Sequence, residues 1–259
     1  VRQRLQLLLL AGLLAITFGI QGAALTPSEE LVRLSYFSEQ AHPFNFKDEK
    51  GNPAGISVDI LQKVWDKLGI EPQPIEFMPW ARGYYLLLQK PETMLFATNR
   101  IESREKLFKW ACPIFFQRLV LVGLKSDGIK LHSLKDAMKY RVAALRSDVG
   151  EQVLLQNGFG DLQIHAVNKL GNALKLLSRN RTDLVSGSEP FIISTLHDLG
   201  LDANRFEVKW TLSSEQMCFA FNRSVSDEAV EAFQFALNQV HANSRVYMKI
   251  LQKYGLLAP

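Results

Sequence analysis

Arg100 and Arg104 stand four residues apart, directly after the apolar stretch Met94–Thr98, and a Lys-Trp-Ala-Cys-Pro run follows at residues 109–113. A guanidinium presents a rigid fork of donors that matches a carboxylate. Two of them at the end of a strand point to a pocket for a small anion. Arg104 either grips such an anion or pairs at the surface with Glu102 or Glu105. Other polar groups fall at comparable places. Trp80 and Arg82 follow Pro74–Phe77; Arg146, Ser147 and Asp148 follow Tyr140–Leu145; Ser188 and Glu189 follow Leu184–Ser186, just before Pro190. This is the layout of a cleft with cations on one wall and hydroxyls and a carboxylate on the other.

Other chemistry finds no support. The chain has no phosphate loop, dinucleotide fingerprint or nucleophile elbow. His42, His132, His165, His197 and His241 lack the spacing of metal ligands, so neither a metal nor a cofactor is expected. No basic run is dense enough for nucleic acid.

The elements that must carry these groups alternate between strand and helix. Leu31–Phe37 reads as a strand, and residues 48–53 as a turn. Val58–Leu68 has Ile60, Leu61, Val64, Trp65 and Leu68 at helical spacing, with Gly69 placed to end it. Pro74–Phe77, Met94–Thr98 and Phe115–Gly123 read as strands, and Ala81–Gln89 as a helix. The alternation then restarts. Strands are expected at Tyr140–Leu145, Leu162–Val167, Leu184–Ser186, Phe206–Thr211 and Met217–Phe221. Helices are expected at Ser133–Lys139, Val149–Asn157, Leu170–Arg179 and Pro190–Leu199. The tail is helical from Ser226, a good N-cap, through a last helix at Ser244–Tyr254. Such alternation argues α/β with mostly parallel sheets, and two series argue two lobes of about 100 residues each.

The N-terminus reads as a secretory leader. Arg2 and Arg4 precede apolar Leu5–Ile20, and Gly22-Ala23-Ala24 offers a cleavage site. The apolar run falls short of the ~20 residues of a membrane-spanning helix. Removing residues 1–24 takes away two arginines and no acids, lowering the formal charge from +4 to +2. An exported, soluble protein is expected. In an oxidising compartment Cys112 and Cys218 either pair or remain buried thiols.

Taken in order, four segments resemble the periplasmic solute-binding proteins of ABC transporters, in the branch that typically binds amino acids. These are "HPFNFKDEKGNPAGISVDILQKVWDKLG", "TNRIESREKLFKWACPIF", "LSRNRTDLVSGSEP" and "CFAFNRSVSDEAVEAFQFALNQVHANSRVYMKILQKYG". The resemblance spans the mature chain. It implies a type II periplasmic binding fold: two α/β lobes joined by two crossover strands and closing on a solute by a hinge. Lobe 1 would hold residues 25–117 and 216–259, and lobe 2 residues 118–215.

In that family the arginine matching Arg104 grips the solute's α-carboxylate. Thr98 would complete the cage, and Arg100 would contact the solute or brace the cleft. Trp80 would stack on the solute or pack in the core. Ser147 would donate from the second lobe or, with Asp148, simply cap a helix. Asp183 matches a scaffold aspartate. Where amino-acid binders place an aspartate for the α-ammonium this chain has Ser188, with Glu189 one residue on as the alternative partner. The aromatic usual before Pro43-Phe44 is replaced near Ala41, with Tyr36 and Phe37 close upstream. The two cysteines would flank the crossover strands, Cys112 before one and Cys218 after the other, and their bond would close a loop of about 100 residues.

The implied function is periplasmic capture of a small carboxylate-bearing solute, by a monomer, for a membrane permease. The same fold also serves sensors that report to a membrane receptor. A few members of the superfamily catalyse small eliminations; Glu189 would then be the acid or base, and no second catalytic partner is visible.

Overall fold

The computed structural model describes residues 25–256. The expected leader, residues 1–24, lies outside them. In chain order the elements are α1 (Pro27–Arg33), β1 (Ser35–Ser38), β2 (Phe46–Lys47), β3 (Pro53–Ala54), α2 (Ile56–Leu68), β4 (Ile75–Phe77) and α3 (Trp80–Gln89). Then come β5 (Thr93–Arg100), α4 (Glu102–Glu105), β6 (Lys109–Leu124), β7 (Val142–Leu145), α5 (Val149–Gln156), β8 (Ile164–Val167) and α6 (Leu170–Ser178). The chain ends with β9 (Leu184–Ser188), α7 (Glu189–Asp198), β10 (Phe206–Phe221), α8 (Asp227–Ala242) and α9 (Ser244–Lys253).

The strand order is β4-β1-β5-β10-β6-β9-β7-β8. β1 pairs in parallel with β4 and β5, and β7 pairs in parallel with β8 and β9. Between these two parallel halves run β10 and β6, sixteen residues each and antiparallel to one another. This is the expected mixed α/β architecture of two lobes joined by two crossover strands. The first lobe packs α2, α8 and α9 on one face of its sheet through Leu61, Trp65, Phe219 and Phe233, and α3 on the other. In the second lobe Leu174, Val185 and Ile192 form one core, and Leu121, Leu154 and Leu184 another.

Two expectations are corrected. Leu31 belongs to a helix, and the first strand is only Ser35–Ser38. Thr26 accepts from Glu29 N, the Glu29 carboxylate reaches back to Thr26 N, and Pro27 takes the first helical turn. That capping box outweighs the apolar character of Leu31–Leu34. The segments Phe206–Thr211 and Met217–Phe221 are one continuous strand, because Ser213–Gln216 keep their pairing with residues 116–119 of β6.

Cys112 and Cys218 are disulfide-bonded, with a Cα–Cα distance of 4.7 Å and a sequence separation of 106. Both lie within the long strands, β6 and β10, rather than outside them. Asp183 acts as scaffold, accepting from the Arg141 backbone N–H and from its Nε and Nη2.

Candidate functional site

The carboxyl ends of the parallel strands in both halves converge on the gap between the lobes, where ligands gather in open α/β sheets. Here lies a cavity of about 760 Å³. Glu39, Phe46 and Trp80 line it from the first lobe, and Leu145, Asn168 and Phe191 from the second. At its rim the His42 ring packs tilted against Phe46, centroids 4.5 Å apart, and hydrogen-bonds across the gap to the Ser194 hydroxyl.

Behind Trp80 sits Arg104, with none of its surface exposed. The short helix α4 sets it one turn beyond β5. Its guanidinium carbon lies 5.3 Å from the Trp80 ring centroid and 5.0 Å from that of Tyr84, positions suited to cation–π attraction. Its donors reach both lobes. Nη1 donates to the Asn99 carbonyl at 3.2 Å, Nε to Gln152 Oε1 at 2.9 Å, and Nη2 to the Ser147 carbonyl at 3.0 Å. Burial pulls the guanidinium's pKa down, opposed by Asp148, Tyr84 and Glu39. Arginine nonetheless remains charged at any ordinary pH.

The Ser147 carbonyl gathers more than Arg104. Trp80 Nε1 donates to it at 2.9 Å and Gln152 Nε2 at 3.3 Å. Ser147 has a left-handed backbone, φ 58°, which an L-residue holds at a cost of about 1–3 kcal/mol. Its own N–H donates to the Glu151 carboxylate. The turn is seated by Gly150: a Cβ there would lie 2.9 Å from Ser186 Oγ and 3.0 Å from the Ser186 carbonyl, so only glycine lets α5 approach β9 this closely. Three donors from α3, α4 and α5 therefore meet at one oxygen of the second lobe. One oxygen of a carboxylate would want the same surroundings.

Two carboxylates bear on Arg104, and the first of them also lines the cavity. Glu39 follows β1 directly, and Asp148 heads α5; both are half-buried. Burial raises the Glu39 carboxyl well above its ordinary value, the nearby Asp148 raises it further, and Arg104 opposes both. Burial likewise raises Asp148, with Arg104 opposing. Asp148 was expected as a helix cap, but its side chain makes no capping bond.

The signs give a prediction. A carboxyl raised by folding contributes stability that is complete below the unfolded value, about 4.3 for glutamate, and is lost as pH rises through the folded value. Glu39→Gln should therefore melt above the wild type at pH 8 and together with it at pH 4, in thermal unfolding without added solute. A variant that melts lower at pH 8 would show the Glu39 carboxylate to be stabilising instead.

The remaining expected site residues are engaged within the chain. Tyr36 is buried in the first-lobe core, where its hydroxyl donates to the Leu31 carbonyl and burial pushes its pKa to about 12. It does not line the cavity. Thr98 is buried and donates to the Leu95 carbonyl. Arg100 pairs with Glu105 at the edge of a separate depression, and its guanidinium lies over Trp110. The Ser188 hydroxyl donates to Gln117, and Glu189 forms a two-bond pair with Arg118. Neither Ser188 nor Glu189 thus offers a free group for an ammonium. Glu39, Gln152, Tyr84 and Asn99 were not anticipated. Reading the end of β1 as the ends of β5 and β7 were read would have found Glu39.

A model of the bacterial extracellular solute-binding proteins, family 3, matches residues 35–256. The chain belongs to this family. No curated protein sequence matches it. Among solved structures, this family 3 protein is similar to a mutant of ArgBP from T. maritima, with TM-score 0.72 and 21% identity over 85% of this chain and 94% of that one. It is also similar to the arginine-, lysine-, histidine-binding protein ArtJ from Geobacillus stearothermophilus, with TM-score 0.74 and 18% identity over 88% and 97%. A third likeness is to a histidine kinase sensor domain with similarity to periplasmic binding proteins, with TM-score 0.76 and 18% identity over 88% and 98%. At these identities the likeness concerns the fold. It agrees with the type II periplasmic binding architecture of this family 3 protein.

Proposed function

We propose that this protein captures a small carboxylate-bearing solute, an amino acid or a relative, between its lobes and delivers it to the membrane permease of an ABC transporter. The observation that carries the reading is the convergence of Trp80 Nε1, Arg104 Nη2 and Gln152 Nε2 on the Ser147 carbonyl. When the lobes part, those donors are released. A solute carboxylate then takes the place of the carbonyl, and the lobes close over it. We take residues 25–117 with 216–259 as one moving body and residues 118–215 as the other. The cystine and the expected leader suit the periplasm, and the solved amino-acid binders of the same fold suit the solute class.

A second reading has the same capture reported to a membrane receptor; the likeness to a kinase sensor domain favours it. Catalysis by Glu189 is disfavoured because Arg118 already pairs with both of its oxygens.

Thermal-shift screening against amino acids and small organic acids tests the capture reading. At a solute concentration one hundred times Kd, binding adds about 2.7 kcal/mol, which raises Tm by about 5–10 °C for a chain of this size. One chemical group of carboxylates should do this for the wild type and fail with Arg104→Ala. Equal shifts for the two proteins, or none from any carboxylate, would sink it.

A further inference from the structure

We propose that Glu39 and Asp148, one from each lobe, hold a cationic group of the solute, so that the cleft selects solutes of net positive charge. The inference rests on the capture reading and adds the sign of the solute.

Three observations converge. First, the two positions expected to meet an ammonium are engaged elsewhere: the Ser188 hydroxyl bonds Gln117, and the one acid there, Glu189, is paired with Arg118. Second, Glu39 lines the cavity and Asp148 heads α5 beside Ser147; among the described residues no side chain hydrogen-bonds either carboxylate, and Arg104 acts on both through charge alone. Third, the cavity wall is acidic in a chain whose formal charge is +4. Glu39, Asp48, Glu49 and Asp198 line it against Lys47 and Lys169, with His42 at the rim. A cleft whose sign opposes that of its protein concentrates cations.

The charge balance sharpens the point. Besides Arg104, the charged group bearing on the pair is Glu151 on α5, whose carboxylate is held by the Ser147 N–H, while Tyr84 on α3 packs on Arg104 itself. One guanidinium against two ionised carboxylates leaves one negative charge uncompensated in a closed gap. A bound proton or an ammonium or guanidinium of the solute can supply the missing positive charge. Protons and cationic solutes therefore compete. A zwitterion with no net charge leaves the imbalance in place, and an anion worsens it.

Isothermal titration with L-lysine, L-glutamine and L-glutamate tests this at pH 8 and pH 5.5, each in two buffers of different ionisation enthalpy. Lysine should bind at least tenfold tighter than glutamine, and glutamine tighter than glutamate. Lysine affinity should fall at least tenfold from pH 8 to pH 5.5, with proton release at the lower pH. Glu39→Gln and Asp148→Asn should each weaken lysine at least tenfold and move glutamine by less than about threefold. Should the asparagine variant fail to fold, Glu39→Gln alone decides. Glutamine or glutamate binding as tightly as lysine, or lysine indifferent to Glu39→Gln, would overturn the inference. If such binding is abolished by Arg104→Ala, the capture reading survives. Binding by none of the three at millimolar concentration would overturn the inference, while the capture reading would stand or fall with the wider carboxylate screen.

Discussion

Arg104→Ala is expected to give a folded but opened molecule whose affinity for its carboxylate solute is lower by about 2–5 kcal/mol, roughly 30- to 5,000-fold. The side chain is wholly buried, and its removal leaves two acceptors, the Asn99 carbonyl and the amide oxygen of Gln152, without this donor, while the Ser147 carbonyl keeps Trp80 and Gln152. Each acceptor left dry costs about 1–3 kcal/mol. Glu39 and Asp148 also lose the guanidinium that favours their charged forms. Both penalties are relieved if the lobes swing apart and water enters. The variant should therefore open before it unfolds. Small-angle scattering of the variant without added solute should show a larger radius of gyration than the wild type, and titration should show the lost affinity. A compact variant with wild-type affinity would remove Arg104 from the site.

Replacing Cys112 and Cys218 together by alanine should cost about 4–5 kcal/mol of unfolding free energy, the chain-entropy value for a loop of about 100 residues. The bond spans 106 residues, and the second lobe lies entirely inside the loop it closes. Without it the denatured chain regains that freedom, while the folded state keeps the β6–β10 ladder. Solute affinity should not change, since both sulfurs lie outside the cavity. Urea unfolding of the two proteins reads the difference directly. A loss below about 1 kcal/mol would mean that the unfolded chain is already constrained without the bond.

Much of the fold was legible because helices such as α2 and α8 announce themselves through apolar spacing and caps. β10 was read as two pieces because Ser213-Ser214-Glu215-Gln216 looks like a loop. In a crossover strand, however, these residues are half-buried or exposed, so polarity there is compatible with unbroken pairing. α1 was missed because its signal is a cap, and the apolar residues behind it resemble a strand. In the site, Arg104 was legible as a cation at a strand end. Ser147 was named for its hydroxyl, yet the structure uses its carbonyl, which no side-chain identity reveals. Glu39 escaped because the polar residues after β1 were not weighed with those after the other strands, although the expected end, Phe37, is only one residue short of the observed one. Glu189 and Arg100 were drawn in by residue type and proximity along the chain, and each turned out to have an ion-pair partner of its own.

The two sixteen-residue strands at the centre have a mechanical consequence. Their ladder runs from Phe206 opposite Leu124 to Phe221 opposite Lys109, with register shifts at Val208/Trp210, Thr211/Ser213 and Met217/Phe219. A hydrogen-bonded ribbon resists stretching and sliding but yields to twist, and each shift concentrates twist locally. Cys112–Cys218 clamps the Met217/Phe219 shift, leaving the other two free. In the proposed closure the pair would act as a torsion bar anchored at one end, so that the second lobe would turn about its long axis as a screw rather than fold over like a flap.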